Sequence, residues 1–145
     1  MIRGLFQREI LPVLESSLGF AEARQRVIQN NIANVDTPHY KRQTVPEVEF
    51  QRALDQAIEE RASAHPNRLV VRDTWHIDFP GGKVRPRVQM VPGVEAGPER
   101  HDQNNVVIEK EMVDLAKNTL YIETLQRLLR KKYQMLRASL RDRIA

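Results

Sequence analysis

The side chains able to carry out chemistry are few and poorly grouped. The four histidines, His39, His65, His76 and His101, are the first candidates for a metal centre. Such a centre needs further ligands at short, regular spacing, often a second histidine or a thiolate pair. No histidine has another at i+3 or i+4, and the chain has no cysteine. Each histidine therefore reads as a surface or loop residue. Gly81-Gly82-Lys83 lacks the spacing of a phosphate-binding loop. Ser16, Ser17, Ser63 and Ser139 lie in no nucleophile-elbow context. Glu59-Glu60 reads as solvated helix surface. The expectation is a protein that is not an enzyme and holds no cofactor or metal.

Polar residues do crowd one place. In Asn30-Asn31-Ile32-Ala33-Asn34-Val35-Asp36-Thr37-Pro38-His39-Tyr40-Lys41 three asparagines fall in the last turns of a helical pattern, where asparagine is a poor helix former. Asn31 lies beside the apolar positions Ile28, Ile32 and Val35. A half-buried asparagine there can fix the register of packed helices at some cost in stability. The plainer reading is a fraying helix end stopped at Thr37-Pro38.

The elements that hold this segment follow from punctuation and periodicity. Seven of the eight prolines fall between Pro38 and Pro98, and four of the six glycines between Gly81 and Gly97. The order is helix, irregular middle, helix. Leu11, Leu14, Leu18, Ala21, Gln25, Ile28, Ile32 and Val35 alternate in spacing of three and four, with Gln25 the one polar position. This predicts a helix over 11–35, with Pro12 in its first turn and Pro38 ending it. Ile108, Met112, Leu115, Thr119, Ile122, Gln126, Leu129, Tyr133, Leu136 and Leu140 repeat the pattern. They predict a helix over 105–141, roughly 55 Å long, with Asn104 or Asn105 as N-cap.

The second helix is then about 12 residues longer than the first. Leu120, Leu125, Leu128 and Met135 widen its apolar stripe beyond what one partner helix covers. Both features call for association with other chains. In the middle, 47–62 predicts a short helix with Phe50, Leu54, Ala57 and Ile58 on one face. Leu69–Val71 and the alternating Trp75, Ile77 and Phe79 suggest strands, and Pro80-Gly81-Gly82 a hairpin turn. Residues 83–102 read as extended or loop. The fold expected is mainly α, with two long terminal helices in a coiled-coil-like core. Its segments are 1–40, 41–104 and 105–145.

Composition sets further bounds. The chain has 145 residues, 41% hydrophobic and 29% charged, enough for one ordinary domain. No apolar run approaches the ~18 residues of a membrane span. Arg3, Arg8, Glu9, Pro12 and Glu15 interrupt any signal-peptide core near the N-terminus. The formal net charge is +4, and the basic excess lies in the last segment. Arg127–Arg143 holds seven basic residues against one acid. A basic stripe could bind nucleic acid, but these residues interleave with Leu128, Leu129, Tyr133 and Leu136. They read better as the solvated side of an amphipathic helix, in accord with its dipole, and no nucleic-acid partner is expected.

The asparagine-rich run resembles the N-terminal signature of the bacterial flagellar rod and hook family, usually Asn-Asn-x-Ala-Asn-x-Asn-Thr-Pro-Gly-Tyr-Lys. The other end resembles that family's C-terminal signature: Asp102-Gln103-Asn104-Asn105-Val106, then Glu109-Lys110-Glu111-Met112 and Leu115-Ala116-Lys117-Asn118. The short length, Val48-Glu49-Phe50 and the Leu128–Leu136 run narrow it to proximal-rod members. The likeness covers about 1–60 and 101–141 and omits 63–100. His39 and Gln103 stand where the family commonly has glycine. If the glycine replaced by His39 takes positive φ, that replacement costs about 1 kcal/mol or more.

The resemblance implies an axial structural subunit. Asn30, Asn31, Ile32, Ala33, Asn34, Thr37, Pro38, Tyr40, Lys41, Asn104, Asn105, Val106, Glu109, Glu111, Met112 and Leu115 would form the assembly motif. Leu14, Leu18, Ile28, Val35, Ile122, Leu129 and Leu136 would pack the helices. Expected partners are other copies, other rod proteins and the basal-ring or export-gate adaptor. Export by the flagellar type III apparatus, without a cleavable signal, would place the subunit in the basal-body rod, where it transmits torque and lines the export channel. Alternatives of other classes are a self-associating helical scaffold unrelated to flagella and a basic nucleic-acid-binding module.

Overall fold

The computed structural model describes residues 3–63, 69–80, 83–90 and 101–141. Two long helices dominate: α1 (Arg3–Ala33) at the start of the chain and another over Ile108–Arg141 at its end. Between them lie β1 (Gln43–Thr44), α2 (Glu47–Ser63), β2 (Ile77–Asp78), β3 (Arg85–Pro86) and β4 (Gln89–Met90), so the last helix is α3.

α1 and α3 form an antiparallel hairpin. Leu14, Ala21, Leu125 and Leu129 pack in the seam, flanked by Leu11, Leu18 and Ile122. Toward the far end the Tyr133 hydroxyl donates to Glu15 at 2.7 Å. The helices measure 31 and 34 residues, which removes the length difference expected from the sequence. α1 starts eight residues before Leu11, so Pro12 sits in its interior rather than its first turn. A proline there leaves the Arg8 carbonyl without its helical partner. The need for an outside partner therefore rests on the exposed stripe of α3, not on an overhang.

A second core lies on another side of α1. Phe20 and Val27 of α1 join Val45, Phe50, Ile77, Phe79 and Val84, with Leu54 and Val71 against them. Phe20 and Phe50 stack with ring centroids 4.2 Å apart and planes 8° from parallel. Truncating either ring to alanine would cost about 3–5 kcal/mol by cavity formation. This core ties α2 and the middle strands to α1. The 3.6-residue pattern of Leu14, Leu18, Ala21 and Ile28 reveals only the face turned to α3.

α2 spans the predicted segment and one residue more. The strands differ from expectation. β2 pairs antiparallel with β3, placing Ile77 opposite Pro86, while Leu69–Val71 and Trp75 lie outside any strand. β1 pairs antiparallel with β4, Gln43 opposite Met90, a pairing that two-residue strands give no periodicity to foresee. The expected turn residues Gly81 and Gly82, His65, and 91–100 of the extended segment lie outside the described residues.

Candidate functional site

At the closed end of the hairpin the two polar motifs meet. Asn31 is 0% exposed on α1, and Glu111 is 0% exposed on the first turn of α3. The Asn31 amide nitrogen donates to the Glu111 carboxylate at 2.9 Å and to the Gln43 carbonyl at 2.8 Å. Its amide oxygen accepts from the Gln43 N–H at 3.0 Å and from the Tyr40 hydroxyl at 3.1 Å. Both donors and both lone pairs are used, so burial leaves no polar atom of this side chain unpaired. β1 is thus bonded to α1 along one edge and to β4 along the other.

Glu111 also needs a cation. The Arg42 guanidinium supplies it, bonding Glu111 directly and reaching Asp114 at 3.2 Å. The Arg42 backbone N–H donates to the Asn105 side chain at 2.6 Å. Burial, with the Glu111 carboxylate nearby, raises the Tyr40 pKa above its ordinary 10.0. Tyr40 therefore stays protonated as the donor to Asn31. Removing one partner of such a buried pair strands a charge, which is far costlier than the net gain from forming the pair.

Asn104, also 0% exposed, closes the end of α1. Its amide nitrogen points at the carbonyls of Asn34, Val35 and Thr37, at 3.0, 3.0 and 2.9 Å. Those carbonyls lie in the turn after α1, where those of Asn34 and Thr37 also accept from the N–H groups of Thr37 and Tyr40. Its oxygen accepts from the Val106 N–H at 2.8 Å. Neither Asn104 nor Asn105 is the N-cap of α3, which starts at Ile108. Both side chains are committed to the clamp instead.

The remaining motif residues sit around this centre. Asn30 is exposed and reaches Tyr40 and Gln43 at 3.4 and 3.5 Å. Asn34 bonds the Asn30 carbonyl at 2.8 Å and accepts from Thr37 at 3.2 Å. Lys41 donates to the Gln103 carbonyl at 2.8 Å. Val106 is buried, Ile32 and Leu115 half-buried, and Ala33, Pro38, Glu109 and Met112 exposed. Ile28 and Leu129 are buried and Leu136 half-buried, whereas Val35 lies past the end of α1, in the turn. His39 and Gln103 both adopt positive φ, 61° and 62°.

The sequence reading missed Arg42 and Gln43. A signal existed: a glutamate on the stripe side of α3 needs a cation, and Arg42 follows the motif directly. It also missed how the polar breaks in the two stripes pair. Asn118 donates to the Gln25 side chain at 2.8 Å and the Ala21 carbonyl at 2.9 Å, and Gln25 reaches Thr119 at 3.4 Å.

Among the described residues no group of three His, Cys, Asp or Glu side chains could hold a metal ion. None of the helices there is long and apolar enough to cross a membrane. The two motifs thus meet in a helical hairpin locked by buried amides and an ion pair, an architecture built by helix packing. No family model matches the chain. It is 35% identical over 131 residues to the flagellar basal body rod protein FlgB of Bacillus subtilis (strain 168), covering 88% of this chain and 89% of that protein. It is 32% identical over 105 residues to the FlgB of Borrelia hermsii, covering 67% and 70%. The chain belongs to the FlgB family of flagellar rod proteins.

Proposed function

We propose that this chain is a structural subunit of the proximal rod of the bacterial flagellar basal body. It packs its helices against other copies and other rod proteins, transmits torque, and contributes to the wall of the export channel. It reaches the periplasmic rod through the flagellar type III apparatus and contacts the basal-ring or export-gate adaptor at the rod base. The observation that carries this reading is the meeting of the two motifs in one clamp, Asn31 against Glu111, within a chain of this family. A rod under torque needs subunits whose ends cannot slide past each other. A buried, fully bonded asparagine–glutamate–arginine centre fixes that register, since any slip leaves its groups unpaired.

Deletion of the gene followed by electron microscopy of basal bodies tests the proposal. Rings without a rod or anything beyond it are expected. Complete flagella and normal swimming in the deletion strain would overturn it.

A further inference from the structure

The outer faces of α2 and of the C-terminal half of α3 match one another. On α2, Val48, Gln51, Asp55 and Ile58 follow a 3-4-3 spacing and form one stripe. Val48 and Ile58 are 61% and 42% exposed, and Gln51 and Asp55 are exposed as well. The stripe lies off the side that Phe50, Ala53 and Ala57 bury. On α3, Leu128, Lys131, Met135 and Ala138 repeat the spacing. Leu128 and Met135 are 43% and 41% exposed, and Lys131 and Ala138 are exposed. This stripe lies off the seam built by Leu125 and Leu129. Both stripes have the spacing of helix-packing positions, and among the described residues neither belongs to a packed apolar cluster.

Charge decides what fits. α2 carries five carboxylates, Glu47, Glu49, Asp55, Glu59 and Glu60, against Arg52 and Arg61. Residues 126–141 carry six basic side chains and no acid. In an antiparallel alignment Ile58 meets Leu128, Asp55 meets Lys131, Gln51 meets Met135 and Val48 meets Ala138. A parallel alignment would set Asp55 against Met135 and leave Lys131 opposite Gln51. Only the antiparallel register pairs the charges and the larger apolar side chains together. Each stripe spans roughly 15 Å at 1.5 Å per residue.

We infer that the occupant of the α3 stripe is α2 of a second copy of this chain, packed antiparallel with Asp55 against Lys131. This rests on the reading of the chain as a self-assembling rod subunit. The two surfaces are different parts of the molecule. Each copy therefore gives one and receives the other, and the contact repeats head to tail without closing on itself. The middle segment thereby takes part in assembly beside the terminal helices.

The absence of cysteine makes a disulfide test clean. Chains carrying Gln51→Cys and Met135→Cys are produced together in flagellated cells lacking the native gene, and the cells are oxidised. An intrachain control carries Gln25→Cys and Thr119→Cys, whose parent side chains are 3.4 Å apart. A mixed 51–135 disulfide is expected. Asp55→Lys should lower its yield about tenfold, because like charges then face each other, and adding Lys131→Asp should restore it. Closure of the control without the mixed disulfide, or a yield indifferent to Asp55→Lys, would overturn the inference. So would binding of the purified chain to phosphatidylglycerol vesicles that depends on Lys131, with no mixed disulfide in cells. That result would assign the basic stripe to a lipid surface. Loss of swimming in the deletion strain is scored separately. A missing disulfide in cells whose swimming needs this chain rejects the interface and leaves the rod reading intact.

Discussion

His39 and Gln103 face each other across the clamp, both in left-handed backbone conformation, with the His39 ring Nδ1 3.0 Å from the Gln103 side-chain oxygen. The His39 N–H also donates to the Asp102 carbonyl at 2.9 Å. Positive φ costs a residue with a Cβ about 1–2 kcal/mol. Here two such residues meet, and their side chains bond to one another. An exposed hydrogen bond of this kind returns about 0.5–1 kcal/mol, part of the strain. His39→Gly should therefore stabilise the chain by about 0.5 kcal/mol, and the double glycine variant by about 1–2 kcal/mol. Urea denaturation of both single variants and the double measures this directly. Clear destabilisation by either glycine would show that the pair contributes more than its backbone strain costs.

Glu111 is the deepest charge in the clamp, and its partners Asn31 and Arg42 come from the other end of the chain. Glu111→Ala should destabilise by about 1–3 kcal/mol, because Asn31 loses one of its buried bonds and Arg42 keeps only Asp114. Glu111→Gln keeps the shape and one acceptor and should cost less. Equilibrium unfolding decides; a loss under about 1 kcal/mol for alanine would mean that water replaces the carboxylate freely.

Much of this architecture was legible in the sequence. Regular three- and four-residue spacing marked both long helices because each turns an apolar stripe to the other. The resemblance singled out Asn31, Asn104 and Glu111 without saying what they touch. That escaped because their partners are backbone carbonyls, Gln43 and Arg42, groups with no periodic signature. The β1–β4 pair and the Phe20–Phe50 core escaped for a related reason. They depend on tertiary contacts of a Pro-rich segment, and the α1 face toward them competes with a stronger stripe. The start of α1 was misjudged because Pro12 reads as a helix beginning, whereas the helix runs through it from Arg3.

Asn104 offers a sharp contrast between two substitutions. Its amide nitrogen lies within hydrogen-bond distance of three carbonyls beyond the end of α1 and shares its two N–H groups among them. Asn104→Ala should cost about 1–3 kcal/mol for the buried hydrogen bonds lost. Asn104→Asp, though nearly isosteric, should cost more, since a carboxylate oxygen would face those carbonyl oxygens. A thermal melt in which the aspartate variant matches or exceeds the alanine variant would contradict the assigned amide orientation.

Glu49 links the middle segment to pH. Its carboxylate accepts from the Thr74 hydroxyl and from the His76 N–H at 3.2 Å, and these bonds hold its pKa below the ordinary 4.5. A depressed carboxylate contributes stability above its unfolded pKa and loses it as pH falls through the folded value. The stability difference between the native chain and Glu49→Gln should be full at neutral pH. It should shrink as pH drops below about 4.5. Denaturation across that range tests it; a difference that grows on acidification would reverse the sign assigned here.

Gln25, Asn118 and Thr119 interrupt the apolar seam at one level, and there they bond to one another. Leucine at Gln25 and Asn118 together would remove the polar pair and add apolar area, so the hairpin should not lose stability and could gain about 1 kcal/mol or more. Register is a different matter. With only leucines facing each other, a slide of one heptad along the seam keeps most apolar contacts, whereas Gln25 opposite Asn118 fits one alignment. The clamp at Asn31 and Glu111 still resists that slide from one end. The double leucine variant should therefore remain monomerically folded but show added self-association through its continuous apolar stripe. The single variant Gln25→Leu should be less stable than either parent or double, since Asn118 then keeps only the Ala21 carbonyl. Sedimentation and urea denaturation of the three chains separate these outcomes. A single variant as stable as the double would mean that Asn118 finds water in place of Gln25.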